Sequence, residues 1–241
     1  MNLRQIARVL VPGIGCLGVL LFVLYLPGPA AASPAESFNP GNFIKVINNP
    51  YFPLKPGEVF IYSGITDEGP EVLQIYVSHQ KKTILGVECA VVNETVTTDG
   101  NLTEVSINWY AQDKEGNVWY FGEDSKQYED GEVASTEGSW EAGINGAQQG
   151  IIMEAHPQVG DIYHQEFAPG VAMDMAKILS KKKEVTVPYG EFDRCLLTKE
   201  WSQLDPGVVE FKYYTKGVGF VLGITGGNKR LALRDVFFLP E

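Results

Sequence analysis

Cysteine, histidine and basic side chains are all scarce in this sequence. Of its three cysteines, Cys16 lies inside an apolar N-terminal run, which leaves Cys89 and Cys195 for the body of the chain. Neither has a histidine close in sequence, so nothing local marks a thiol nucleophile. The histidines are His79, His156 and His164, and a metal site would have to combine Glu154, His156, His164 and Glu166. An alternating strand would put His164 and Glu166 on one face, but the spacing from His156 to His164 matches no tight ligand pattern. Solvated loop and strand residues are the simpler reading, and no metal or other cofactor is expected.

Further absences narrow the chemistry. A Gly-x-Ser-x-Gly elbow does not occur, and the glycine-rich stretch from Gly143 to Gly150 lacks the strand and Lys-Ser/Thr context of a phosphate loop. Nineteen basic residues stand against thirty acidic ones, for a net charge of −11. Both nucleic acid and anionic membrane surfaces repel such a polyanion, so neither is an expected partner. The run Lys181-Lys182-Lys183 reads as an exposed hairpin end.

The first residues carry an address. Arg4 and Arg8, with no acid before Glu36, precede an apolar stretch from Val9 to Leu26 and a small-residue segment from Pro27 to Ala35. Charge, apolar core and small residues in that order form a secretory signal, with Ala30-Ala31-Ala32 offering cleavage after Ala32. The apolar run is also close to spanning length, so an uncleaved anchor stays open, and with it a membrane association through that segment. Pro12, Gly13, Gly15 and Gly18 weaken a long helix and favour cleavage. Removal of residues 1–32 leaves 17 basic residues against 30 acids, a charge of −13, on a chain expected to be secreted or extracytoplasmic.

Residues 33–49 are small and polar and read as a linker. Beyond them, runs rich in Val, Ile, Thr, Tyr and Phe alternate with Gly, Asn and Asp. The strands expected are Glu58 to Gly64, Val72 to His79, Thr83 to Thr97, Glu104 to Gln112, Val118 to Gly122, Asp161 to Phe167, Val185 to Val187, Arg194 to Trp201, Val208 to Thr215, Phe220 to Ile224 and Arg230 to Leu239. Many short strands at this spacing predict an all-β, mainly antiparallel fold, as a curved sheet, open barrel or sandwich. Asp99-Gly100 and Gly226-Gly227-Asn228 supply turn residues.

The two halves echo each other. Gly57 and Gly160, Gly86 and Gly190, Cys89 and Cys195, and Tyr110 and Tyr214 are offset by 103, 104, 106 and 104 residues. A first β unit over 50–156 and a second over 157–241, related by a rough two-fold axis, would explain that constancy. The ambiguous segment Val171 to Lys181, helical on its own spacing, then reads as a strand through its counterpart Glu71 to Lys81. An oxidising compartment permits a bridge between Cys89 and Cys195, while apolar strands equally suit buried, unpaired thiols.

Residues 121–156 have no counterpart in the second unit. Trp109, Trp119, Tyr120 and Trp140 lie in or beside this insertion with Glu123, Asp124 and Glu141, the mixture of ring faces and polar groups that binds a neutral glycan or small amphipathic molecule. The same aromatics could form core. Glu123-Asp124 could also serve as a paired-acid centre, though a solvated turn is the plainer account. The expected function is an exported, non-catalytic binding or interaction module. A hydrolase of cell-surface polymer and a structural envelope component are the alternatives.

Four segments carry a resemblance: Asn49 to Gly57 (NPYFPLKPG), Trp109 to Glu123, Val187 to Phe192 (VPYGEF), and Lys212-Tyr213-Tyr214 through Gly217-Val218-Gly219. Together they resemble a family of exported bacterial proteins without an assigned activity. More loosely, the chain is similar to extracytoplasmic lipoprotein-like modules built on curved antiparallel sheets. The resemblance implies the compartment and the β architecture, and transfers no catalytic residue.

Overall fold

The computed structural model describes residues 38–205, 207–226 and 229–239, so the N-terminal signal lies outside the described residues. Three short strands come first: β1 (Phe43–Ile44), β2 (Ile47–Asn49) and β3 (Phe52–Leu54). A meander follows, of β4 (Glu58–Thr66), β5 (Gly69–Ile84), β6 (Val87–Thr98), β7 (Asn101–Asp113) and β8 (Val118–Glu129). Next are β9 (Glu132–Ser135), β10 (Trp140–Glu141), β11 (Gln148–Met153), β12 (Ile162–His164) and β13 (Glu166–Phe167). A second meander closes the chain: β14 (Asp174–Val187), β15 (Gly190–Ser202), β16 (Val209–Thr215), β17 (Gly219–Thr225) and β18 (Lys229–Phe238).

Sixteen of these strands form one antiparallel sheet, whose main path runs β12-β14-β15-β16-β17-β18-β4-β5-β6-β7-β8-β11-β13. Its two ends meet, so the sheet is a nearly closed barrel. The Gln165 N–H donates to the Asp174 carbonyl oxygen at 2.8 Å, and Ala168 bridges Ala172 across the seam. Gly150 permits the closure, because a Cβ there would collide with the Gln165 carbonyl. Register shifts interrupt the long hairpins, for example between Val77 and Lys81 and between Ile178 and Lys183. Such bulges bend the strands and increase their twist, which a sheet needs in order to roll up.

The expected run from Thr83 to Thr97 is broken by a hairpin at Leu85-Gly86, whose φ values of 49° and 80° suit a two-residue turn that matches strand twist. Leu85 is a residue that rarely signals a turn, which hid it. Asp99-Gly100 turns as expected, with φ of 50° and 80°. The strand expected to end at Gly122 continues to Glu129, and Val171 to Lys181 is not helical, since β14 takes it up from Asp174.

Residues 38–49 are not a free linker. Phe43 packs edge-on against Phe121 at 5.4 Å, and β1 pairs with β7. Asn49, buried, donates to the Gly116 and Glu154 carbonyls at 2.9 and 3.0 Å, while the β2-β3 hairpin packs against β7 and β17. Phe52 of that hairpin meets Tyr110 with ring centroids 5.2 Å apart. Small polar composition misled here, because a few apolar residues, Phe43 and Ile47 among them, suffice to dock the segment.

Cys89 and Cys195 are free, buried thiols rather than a bridge. Cys89 sits on β6 in the cluster with Trp109, Phe121 and Trp140, and Cys195 on β15 in the cluster with Phe60, Leu231 and Leu233. Five strands separate β15 from β6 along the sheet, which places the two on different walls of the barrel. Burial pushes the Cys89 thiol up to about 12, as expected of an inert core cysteine.

Candidate functional site

Strand alternation sends every second side chain into the barrel, and many that point inward are polar. On β6, β7 and β8 they include Glu94, Asn108 and Tyr110, Tyr120 and Ser125; on β14, β15 and β16 they include Asp174, Glu200, Glu210, Lys212 and Tyr214. Two cavities follow from this arrangement, of about 310 and 140 Å3, and both touch Asp174 and Lys212. The larger is bordered by Glu104, Glu137, Glu200, Asp205 and Glu210 with Trp201, Leu204 and Val208. The smaller has an apolar floor of Phe52, Leu54, Phe60, Leu73, Ile75 and Phe220 beneath Glu94, Gln165 and Glu166. Among the described lining residues, eight carboxyls stand against one ammonium, Lys212.

Lys212 organises one wall. Its Nζ lies 2.7 Å from Glu200 Oε2 and 3.5 Å from Glu210 Oε2. Glu200 Oε1 also accepts from Thr198 Oγ1 at 2.7 Å and from Tyr214 OH at 3.1 Å. Burial alone would lower the Lys212 pKa, but the Glu200 and Glu210 carboxylates outweigh it and hold the ammonium charged. Burial pushes the Glu210 carboxyl up to about 8, with Lys212 opposing and Glu200 and Asp174 adding to the rise. The other wall is quieter: Tyr120 OH donates to Asn108 Oδ1, Asn108 Nδ2 donates to Ser106 at 3.3 Å, and Ser125 Oγ donates to Glu104 at 3.0 Å. Burial raises the Glu94, Tyr110, Tyr120 and Tyr214 pKa values.

Two buried polar atoms of the lumen lack a hydrogen-bond partner, Gln165 Nε2 and Glu210 Oε1. Their residues are 3% and 7% exposed. Orphaned groups of this kind are uncommon in proteins, since desolvation without a partner costs about 1–3 kcal/mol, and more when the group is charged.

The structure places the residues singled out in the sequence as follows. Tyr120 lines the lumen, stacked on Tyr110 with centroids 4.7 Å apart. Trp109 and Trp140, each 7% exposed, belong to the hydrophobic core, and Trp140 meets Tyr120 edge-on at 5.4 Å. Gly122, at φ 133°, lets β10 cross β8 here, where any Cβ would strike the Trp140 carbonyl. Trp119, half-buried, donates its indole N–H to Asp113 at 2.8 Å. Glu123 is buried on β8, and its charge acts on Tyr110 and Tyr120. Asp124 pairs with Lys126 at 3.2 Å. Glu141 pairs with Lys82 at 2.7 Å, and the same Nζ stands 3.3 Å above the Trp109 ring.

Among the described residues no group of three or more His, Cys, Asp and Glu side chains is arranged to hold a metal ion. His164 packs edge-on against Phe167 at 5.1 Å instead. No described helix is long and apolar enough to cross a membrane. Sequence reasoning missed Asp174, Gln165, Glu210 and Lys212. The one available signal was the alternation Glu210-Phe211-Lys212-Tyr213-Tyr214, which puts two opposite charges and a tyrosine on one strand face.

No protein-family model matches the chain, and no curated protein is significantly similar to it. A solved structure from Parabacteroides distasonis, described as a "putative lipoprotein", aligns over 78% of this chain and 99% of its own length, at 13% identity and a TM-score of 0.42. At that identity and score the likeness carries no argument about ligand or activity.

Proposed function

We propose that the protein is an exported, non-catalytic binding module that takes a small amphipathic ligand into its barrel lumen. One observation carries the reading: two adjoining cavities share Asp174 and Lys212, and their walls hold the unpartnered Gln165 amide and Glu210 carboxyl oxygen. A polar mouth over an apolar floor is the usual construction of a small-molecule site, with polar groups fixing orientation. The insertion then acts from behind: Trp140 supports Tyr120, and Tyr120 forms part of the wall. Export rests on the layout of residues 1–32.

A thermal-shift screen of glycans and amphiphiles on the purified protein tests this reading. A ligand at a hundred times its Kd should stabilise the fold by about 2.7 kcal/mol. The variant Val208→Trp, which fills the mouth of the larger cavity, should abolish that shift. Release of a product would favour the hydrolase, and no shift with any compound would favour a structural role.

We further propose that the barrel is built from two related units, 50–156 and 157–241. In support, Ala90, Val92 and Glu94 pair with Tyr110, Asn108 and Ser106, just as Leu196, Thr198 and Glu200 pair with Tyr214, Lys212 and Glu210. Superposition of the two meanders in an experimental structure tests it, since mismatched Cα positions along these ladders would end the idea.

A further inference from the structure

We propose that the lumen selects a cationic amine that carries a hydroxyl or carbonyl acceptor on an otherwise apolar body. The ammonium sits against Glu210 beside Asp174, and the acceptor receives the Gln165 amide N–H. The inference rests on the reading of the lumen as the binding site, and names the ligand class for it.

Charge is the first reason. Eight carboxyls and one ammonium line the cavities, so an anion entering the lumen meets repulsion that a low-dielectric interior strengthens. A neutral ligand is tolerated, yet it brings no charge to the excess carboxyls. Lys212 does not exhaust them, because its Nζ serves Glu200 Oε2 and Glu210 Oε2 and leaves Glu210 Oε1 without a donor. An alkylammonium has three N–H donors to offer.

Geometry is the second reason. The carboxyls are spread along the wall rather than gathered, and among the described residues no three of them form a metal-holding group. A divalent metal ion needs convergent oxygens at short range, whereas an organic cation is satisfied by one or two carboxylates and a shaped cavity. Gln165 supplies the complementary demand. It is 3% exposed, lines the smaller cavity with Asp174 and Lys212, and its Nε2 has no acceptor. Below it, Phe52, Leu54, Phe60 and Phe220 offer an apolar surface for the rest of the molecule. The raised Glu210 pKa fits this picture, since a buried carboxyl facing other acids gains most from a second cation nearby.

Calorimetric titration with four matched probes tests the assignment: 6-aminohexan-1-ol, hexylamine, hexan-1-ol and hexanoate. We expect 6-aminohexan-1-ol to bind at least tenfold more tightly than hexanol, hexylamine to fall between them, and hexanoate not to bind. Glu210→Gln should erase the advantage of both amines over hexanol, and Gln165→Leu should erase only the advantage of the amino alcohol over hexylamine. Equal binding of hexanol and the amines, lost in Val208→Trp, would overturn the amine inference while leaving the lumen reading intact. Amine binding indifferent to Glu210→Gln and Val208→Trp would place it on the acidic exterior and overturn the inference. If none of the four bound and the wider screen were also empty, the lumen reading would fail and the inference with it. Circular dichroism on each variant separates loss of binding from loss of fold.

Discussion

The hairpin β6-β7 and the hairpin β15-β16 line the same lumen with the same ladder and different charge. In the first, Glu94 pairs with Ser106 and Val92 with Asn108; in the second, Glu200 pairs with Glu210 and Thr198 with Lys212. The first wall thus buries its carboxyl among neutral partners, with Tyr120, Asn108 and Ser106 hydrogen-bonded in sequence. On the second wall a further carboxyl and an ammonium appear together. The difference shows how charge enters a barrel interior: Glu210 and Lys212 stand two residues apart on one strand face, so each offsets part of the other's desolvation.

The comparison can be broken most severely at Lys212. Lys212→Met leaves Glu200 and Glu210 without their counter-charge, and breaking a buried pair in this way costs about 3–5 kcal/mol, read as a fall in the urea midpoint. The neutral wall should give less. Asn108→Leu removes the acceptor of a buried tyrosine hydroxyl and should cost about 1–3 kcal/mol by the same measurement. Should the two variants cost the same, charge would not be what distinguishes the walls.

Trp140→Ala tests the insertion behind the first wall. The ring is 7% exposed and packed on Tyr120, so its loss should cost about 3–5 kcal/mol and lower the melting temperature. An unchanged melting temperature would mean that the insertion contributes little to the barrel.

Acidity sharpens the comparison further. Glu210 and Glu154 both titrate above the ordinary carboxyl value, at about 8 and about 7. Between the unfolded value near 4.5 and these values the folded state binds more protons, so stability is fully present below about 4.5 and is lost as pH rises towards 8. Glu210 faces Lys212, Glu200 and Asp174, and Glu104, Glu137 and Asp205 border the same cavity. Urea midpoints measured from pH 5 to pH 8.5 should therefore fall, and Glu210→Gln should flatten the last part of that slope. A rising profile would show that these carboxyls are not held protonated. The smallest effect belongs outside the barrel, where Asp124→Asn breaks a half-exposed pair with Lys126 and should change stability by less than about 1 kcal/mol.

Much of the fold was legible residue by residue. The β-branched and aromatic runs from Glu58 to Leu239 marked the strands, and Asp99-Gly100 marked a turn, because these features act over a few residues of chain. Leu85-Gly86 was not legible, since the positive φ of Leu85 is imposed by the strands on either side. Of the site, Tyr120 could be named in advance, while Gln165, Asp174, Glu210 and Lys212 could not. Alternation separates two faces of a strand without saying which is inside. On β16 either the Phe211-Tyr213 face or the Glu210-Lys212 face could have been taken as the core, and hydrophobicity favours the wrong one.

The sequence by itself determined an acidic, antiparallel β body with an N-terminal segment laid out for export, because composition, charge order and a period of two are properties of the chain alone. Tertiary structure alone decided that the sheet rolls up until β11 and β13 reach β12 and β14, with Gly150 lying against the Gln165 backbone. That closure turns Glu94, Asp174, Glu210 and Lys212 into a lumen and places Trp109 and Trp140 in the core. The physical reason is that curvature accumulates from many bulges and twists, and only the completed barrel defines an inside.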